Sequence, residues 1–217
     1  MNENERVPGH LQIGEAAPNF QARTTLGEVS LSDYRGRWVL LFSHPADFTP
    51  VCTSEFVALA RAHERFEALD TQLLAVSVDS LYSHLAWVRA IRDEFGVTVS
   101  FPIVEDPSLV IGRAYGMIAT NAPDSATMRS TFFIDPEGIV RAMLTYPATV
   151  GRSVDELLRV LAALQEVDRN HIVTPEGWRP GGDVLLPPHQ DQASAFDAGE
   201  QCWFHRTRPG SKPQVEK

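Results

Sequence analysis

The stretch HPADFTPVCTSEF, His44 to Phe56, sets a cysteine just inside what reads as a helix start. Thr49 is a favoured N-cap residue and Pro50 suits the first helical position, so Cys52 falls at the third. A capping box would seat a glutamate there. Unpaired N–H groups and the positive helix end favour an anion, and for cysteine that anion is the thiolate. The Thr49 hydroxyl is within reach to donate to the sulfur or to an oxygen attacking it. Cys52 and Phe56 are four apart, so the sulfur is expected on the buried side and only partly exposed. A small cysteine buried in a core would have the same position. Glu55, one turn on, would by itself oppose a thiolate through like-charge repulsion. His44, after a strand-like run, reads either as a structural histidine or as a polar group beside the thiol.

The other cysteine, Cys202, stands in GEQCWFHRT near the end of the chain. Two cysteines so far apart do not resemble a disulfide framework; one reactive thiol, or a transient pair, is the simpler reading. Thr49-Pro50-Val51-Cys52 has no first cysteine, which excludes a Cys-x-x-Cys disulfide cycle within the turn. The seven histidines are scattered without close ligand pairs on one helix face, which argues against a metal site.

These side chains need a scaffold, and the chain can build one. It has 217 residues, 43% of them hydrophobic, which suits one domain with an appendage. A net charge of −9 argues against nucleic acid. Lys212 and Lys217 are the only lysines, so every cation in the body of the chain is an arginine. The polar start, MNENERVPGHLQ, lacks a signal-peptide stretch, and the longest strongly apolar run, WVLLF, is too short to span a bilayer. No membrane association and a cytoplasmic location are expected.

RWVLLFS (37–43) and TQLLAVSVD (71–79) read as buried strands, with FPIVED (101–106) a shorter one. STFFIDPEGIVRAMLTY (130–146) reads as a hairpin turning at Pro136-Glu137-Gly138. Helical stripes run through Phe56, Leu59, Ala60, Phe66 and Leu69 between Pro50 and Leu69, and through Leu81, Leu85, Val88 and Phe95. A third helix covers 153–167, with Ser153 and Glu156 in capping-box spacing. The alternation predicts an α/β fold with parallel pairings and a terminal antiparallel hairpin. From about residue 168 periodicity fades, predicting an extended arm or a disordered tail. The apolar VLL and CWF within it favour an arm that docks, with another subunit as one surface.

PADFTPVC, with Pro45, Thr49 and Cys52 in a Pro-x-x-x-Thr-x-x-Cys pattern, resembles the active-site motif of the peroxiredoxins. FSHPADFTPVCTSE resembles their one-cysteine subfamily and its archaeal relatives. APNF (17–20), VSVDS (76–80), HLAW (84–87), FPIVED and YPATVGRSVDELLRV (146–160) agree in the same order, so the similarity runs from about Gly14 to Pro188. The resemblance implies a thioredoxin-like fold, a central mixed β-sheet flanked by helices, with an extended C-terminal arm. It divides the chain into a peroxiredoxin domain, 10–167, and a dimerisation arm, 168–217.

The resemblance also implies chemistry. Cys52 would attack the O–O bond of hydrogen peroxide or an organic hydroperoxide, releasing water or an alcohol and leaving a sulfenic acid. Arg129, in ATMRSTFFID, matches the arginine that contacts sulfur and peroxide, held at the sheet edge; by spacing alone it could be a surface residue. Arg152 matches a supporting arginine, and Glu55 would hold both in place. Pro45 would wall the pocket, and His44 could hydrogen-bond within it. No cofactor, whether metal, flavin or haem, is called for. The partners implied are a peroxide, a thioredoxin-like or small thiol reductant, and further copies of the chain, as a homodimer assembling into a decameric ring. Cys202 is the candidate resolving cysteine, unless the alignment slips and His205 takes that place. The phospholipase activity of some members is not implied, because Arg37 stands where its serine would be. The rival reading is a redox sensor or chaperone-like oligomer using the same thiol.

Overall fold

The apolar runs build the middle of a sheet. RWVLLFS yields β3, Trp38–Ser43, in which every residue is buried. TQLLAVSVD yields β4, Thr71–Ser77, and FPIVED contributes only the short β5, Ile103–Glu105. β3 pairs in parallel with β4, from Trp38↔Thr71 to Ser43↔Val76, and β4 pairs in parallel with β5. Parallel neighbours need crossovers on the sheet faces, so such strands are covered on both sides and read as unbroken apolar runs. The expected hairpin is β6, Arg129–Ile134, with β7, Val140–Tyr146, and Gly138 turns between them at φ +77°. β6 also pairs antiparallel with β3.

Two strands of this sheet had no signature in the sequence, β1 (Gln21–Thr24) and β2 (Gly27–Ser30). Both are short and mostly part-exposed, so neither shows an apolar run. With them the sheet has seven strands in the order β2-β1-β5-β4-β3-β6-β7. The structure, a computed structural model, describes residues 11–119, 121, 124–197 and 202–210. The polar stretch 1–10 and both lysines lie outside the described residues.

The crossover from β3 to β4 differs from the single helix expected over 50–69. It is α1, Pro50–Arg61, then α2, His63–Glu67, because Ala62 leaves the helical region at φ −96°, ψ 4°. The next crossover is α3, Leu81–Phe95, and α4, Val110–Ala114, follows β5. Ser80 caps α3 by accepting from the Ser83 N–H, and Gly96 ends it in the left-handed region. The buried face of α3 is not the stripe predicted. His84, Trp87 and Ile91, spaced three and four apart, point inward, whereas Leu85 is 42% and Phe95 49% exposed. A search limited to Leu, Val and Phe selects the outer side, because a histidine and an indole carry the inner one.

Alternation along β3 sends its side chains to two cores. Val39 and Leu41 join Leu74, Val76, Phe132 and Ile134, closed by Tyr115 beyond α4. Phe42 faces the other way and meets Phe56 of α1 and Phe101 at centroid separations of 5.8 and 5.9 Å. Phe56 in turn packs on Trp87 at 4.5 Å. These aromatic contacts seat α1, and Cys52 with it, on the sheet.

The chain divides by packing into two units, Met1–Val154 and Asp155–Lys217. The second is formed by α5 (Val154–Asn170), the paired strands β8 (Val184–Leu185) and β9 (Thr207–Arg208), and α6 (Gln192–Asp197). Ala163, Ile172, Trp178 and Val184 form its small core, and the Trp178 indole donates to the Gly182 carbonyl at 3.1 Å. The described part of the aperiodic tail is therefore folded. No helix among the described residues is long and apolar enough to cross a membrane.

If the inner face of α3 is as described, Trp87→Ala lowers the unfolding free energy by about 3–5 kcal/mol. Leu85→Ala changes it by about 0.5 kcal/mol or less. Urea denaturation of the two variants checks this, and equal losses would contradict the assignment.

Candidate active site

The turn after β3 delivers the thiol. Thr49 has extended backbone angles, φ −97° and ψ 149°, and Pro50 opens α1, so Cys52 takes the third helical position. Phe48 before it adopts a left-handed φ of +57°, an uncommon conformation for a bulky residue that surrounding bonds must hold. One such bond runs from the Asp47 N–H to Asp79 Oδ2 at 2.8 Å. The Thr49 side chain does not cap the helix. Its hydroxyl donates to the Ala46 carbonyl at 2.9 Å, so its proton is committed within the turn and not to the sulfur, and its oxygen accepts from none of the first-turn amides. The helix start is thus left without a side-chain cap, and its positive end remains for the sulfur.

Cys52 is fully buried at 0% exposure, where partial exposure was expected. A guanidinium lies against the sulfur. Arg129, the first residue of β6 and only 2% exposed, donates from Nη1 to Cys52 Sγ at 3.3 Å. The same Nη1 lies 2.8 Å from Glu55 Oε2, while Nε and Nη2 donate to the Ala148 carbonyl at 3.0 and 2.7 Å. Every guanidinium nitrogen of Arg129 is therefore bonded, and the plane cannot swing. β6 is an interior strand of the sheet, so Arg129 sits at a strand end and not along a sheet edge as expected.

Glu55 joins two arginines. Arg152 reaches it through its backbone N–H at 2.7 Å, Nε at 2.9 Å and Nη2 at 2.8 Å. Arg152 Nη1 donates to the Ser130 carbonyl and Thr131 Oγ1, and its guanidinium lies 5.1 Å from the Phe42 ring centroid. Gly151 lets this loop approach α1, since a Cβ there would come within 3.3 Å of the Val51 side chain. Burial pushes the Glu55 carboxyl up, but the hydrogen bonds and charge of Arg152, helped by Arg129, outweigh it and hold the group below the usual carboxylate range. Two guanidiniums and one carboxylate leave one positive charge beside the sulfur. A thiolate neutralises that charge and a thiol does not. The like-charge conflict read between Glu55 and Cys52 is thus resolved by the arginines.

Cys52, Glu55, Arg129 and Arg152 form one bonded network. Pro45 is buried in the turn. His44 is buried too, but its ring bonds Asp47 and not the thiol network. Cys202 is half-buried in an otherwise exposed turn of the second unit, and neither cysteine forms a disulfide. His44 and His84, read as scattered, converge on Asp47, with donor atoms of the three side chains within 4.8 Å of one another. Asp47, His84 and Ala148 had no assigned place in the site. His44 and Asp47 share a motif three residues apart, but only the fold brings His84 to them.

Comparison with known proteins gives this geometry its context. The AhpC/TSA family model matches residues 13–143, and that of the C-terminal domain of 1-Cys peroxiredoxin matches 163–198. Peroxiredoxin 2 of Picrophilus torridus is 45% identical over 198 residues, covering 90% of this chain and 98% of that protein. Peroxiredoxin 2 of Thermoplasma acidophilum is 48% identical over 196 residues, covering 88% and 98%. A solved yeast mitochondrial 1-Cys peroxiredoxin, studied for thiol resolution via glutathione/thioredoxin systems, superposes with a TM-score of 0.83 at 38% identity, covering 93% of this chain and all of that one. The chain therefore belongs to the AhpC/TSA family of peroxiredoxins, thiol peroxidases of thioredoxin-like fold.

Proposed function

We propose that Cys52 is the peroxidatic cysteine and that Arg129 and Thr49 act on the peroxide with it. The observation that carries this is the 3.3 Å contact from Arg129 Nη1 to Sγ, locked by Glu55 and Ala148. The thiolate attacks one peroxide oxygen, forming S–O as O–O breaks. The departing oxygen takes a proton and leaves as water or an alcohol, and the sulfur becomes a sulfenic acid. A fixed guanidinium stabilises charge growing on the departing oxygen without reorganising. Thr49, its own proton given to Ala46, offers lone pairs to the peroxide O–H. Glu55 and Arg152 keep Arg129 in place, Pro45 walls the turn, and His44 borders the pocket.

Two thiols then restore the enzyme. The first displaces water from the sulfenic acid, and the second releases Cys52 as its thiol while a disulfide leaves. Because Cys52 has no exposed surface, the turn before α1 must open to admit a peroxide, and further to admit a thiol. The reductant is a thioredoxin-like or small thiol, a reading supported by thiol resolution via glutathione/thioredoxin systems in the yeast relative. Cys202, reduced and half-buried, is the candidate resolving cysteine within the arm 168–217, beside a peroxiredoxin domain over 10–167. The assembly in this reading is a homodimer building into a decameric ring, with exposed Phe48 and Tyr82 in the first unit and Phe204 in the second as apolar side chains open to another copy. The protein acts in the cytoplasm in antioxidant defence.

Cys52→Ser is expected to abolish peroxide consumption with dithiothreitol. Arg129→Ala should slow the reaction by about 10²- to 10³-fold, the usual loss for one oxyanion donor. A wild-type rate in either variant would sink the assignment. Non-reducing mass spectrometry after one equivalent of peroxide tests the arm: a Cys52–Cys202 disulfide is expected, absent in Cys202→Ser. Sulfenic acid alone in the wild type would instead mark a one-cysteine cycle.

A further inference from the structure

The turn that delivers Cys52 holds a second buried polar group. His44 Nε2 lies 2.9 Å from Asp47 Oδ1, and His84 Nδ1 of α3 lies 2.8 Å from Asp47 Oδ2. Both imidazoles are 0% exposed. The His44 ring packs against Phe56 at 4.8 Å and Trp87 at 5.3 Å, and its carbonyl accepts from Thr127 Oγ1. One carboxylate thus joins a helix, a strand end and the thiol turn.

Its protonation fixes that of the rings. Burial pushes the Asp47 carboxyl up, but the hydrogen bonds from His44 and His84 outweigh it and hold it well below the carboxylate range. A carboxylate only accepts, so each ring carries a proton on the nitrogen facing it, Nε2 in His44 and Nδ1 in His84. Burial keeps His44 below the usual imidazole range despite Asp47, so its ring holds that single proton. The outer nitrogens, His44 Nδ1 and His84 Nε2, are buried without a hydrogen-bond partner among the described residues. Buried polar atoms without partners are rare and call for a reason.

We propose that Asp47 and His84 are positioning residues of the peroxidase site: by holding the His44 proton on Nε2, they make His44 an acceptor through Nδ1 for the hydroperoxide O–H. This rests on the reading of the Cys52 turn as the peroxide site. His44 in this state cannot donate to the departing oxygen, which leaves that task to Arg129. The three side chains are also a donor set for a metal ion. However, separations of 2.8 and 2.9 Å are those of N–H···O hydrogen bonds, and a metal would need both inner nitrogens free of protons.

Imidazole 15N NMR of the reduced full chain near neutral pH tests this directly. The expected spectrum has His44 protonated on Nε2 and His84 on Nδ1, unchanged by added zinc(II). In Asp47→Asn the amide can accept from only one ring, so one histidine must move its proton or lose its bond. Its peroxide rate should fall roughly tenfold, the equivalent of one hydrogen bond. His84→Leu should fall similarly, and His84→Asn, which keeps a donor toward Asp47, should recover most of the loss. A His44 proton on Nδ1 in the wild type would overturn the proposal. So would wild-type rates in both Asp47→Asn and His84→Leu, or zinc-shifted signals from both histidines. A wild-type chain that consumes no peroxide overturns the site reading, and the proposal with it, even where the tautomers are as assigned.

Discussion

The structure turns on one carboxylate, Glu55, which holds two arginines out of water beside a sulfur. Taking three ions into a protein interior carries a heavy desolvation penalty, repaid only when geometry is good and each polar atom is bonded. Here Glu55 accepts from the Arg152 backbone and both guanidiniums, and the guanidinium nitrogens also donate to Cys52, Ala148, Ser130 and Thr131. The two guanidiniums and one carboxylate carry one positive charge in excess beside the sulfur. The same bonds that make the cluster tolerable leave Arg129 no freedom to turn away from Cys52.

This constraint explains features that look unrelated in the sequence. β6 must pair with both β3 and β7 so that Arg129, at its first position, arrives over the N-terminus of α1. α1 must press Phe56 into the aromatic core so that Cys52 and Glu55, on the same side, turn toward that arginine. The loop after β7 must come close to α1, and Gly151 allows it. The second buried group, His44 with Asp47 and His84, ties the turn to α3 from the other direction. A thiol bonded by one buried polar cluster, on a turn tied down by a second, is well aligned and closed to solvent.

Local features were legible in the sequence. Thr49-Pro50 marked the start of α1, the Val- and Leu-rich runs marked β3 and β4, and Pro136-Glu137-Gly138 marked the hairpin turn. The failures are equally specific. The Thr49 hydroxyl is turned back to donate to the Ala46 carbonyl, and its oxygen accepts from no first-turn amide. α3 presents His84 and Trp87 inward, because a buried carboxylate and an aromatic core await them. α1 and α2 were read as one helix, since no proline or glycine flags the break at Ala62.

The sequence by itself determined the α/β alternation, the thiol at a helix start and the family. Each depends on residues within a few positions of one another, through capping, periodicity or a contiguous motif. Only the tertiary structure decided which distant groups meet. Glu55 and Arg129 are 74 positions apart, and Glu55 and Arg152 are 97 apart. Strand register sets those distances, and register is a property of the assembled sheet. The complete burial of Cys52, the resolved charge of Glu55 and the meeting of His84 with Asp47 all follow from it.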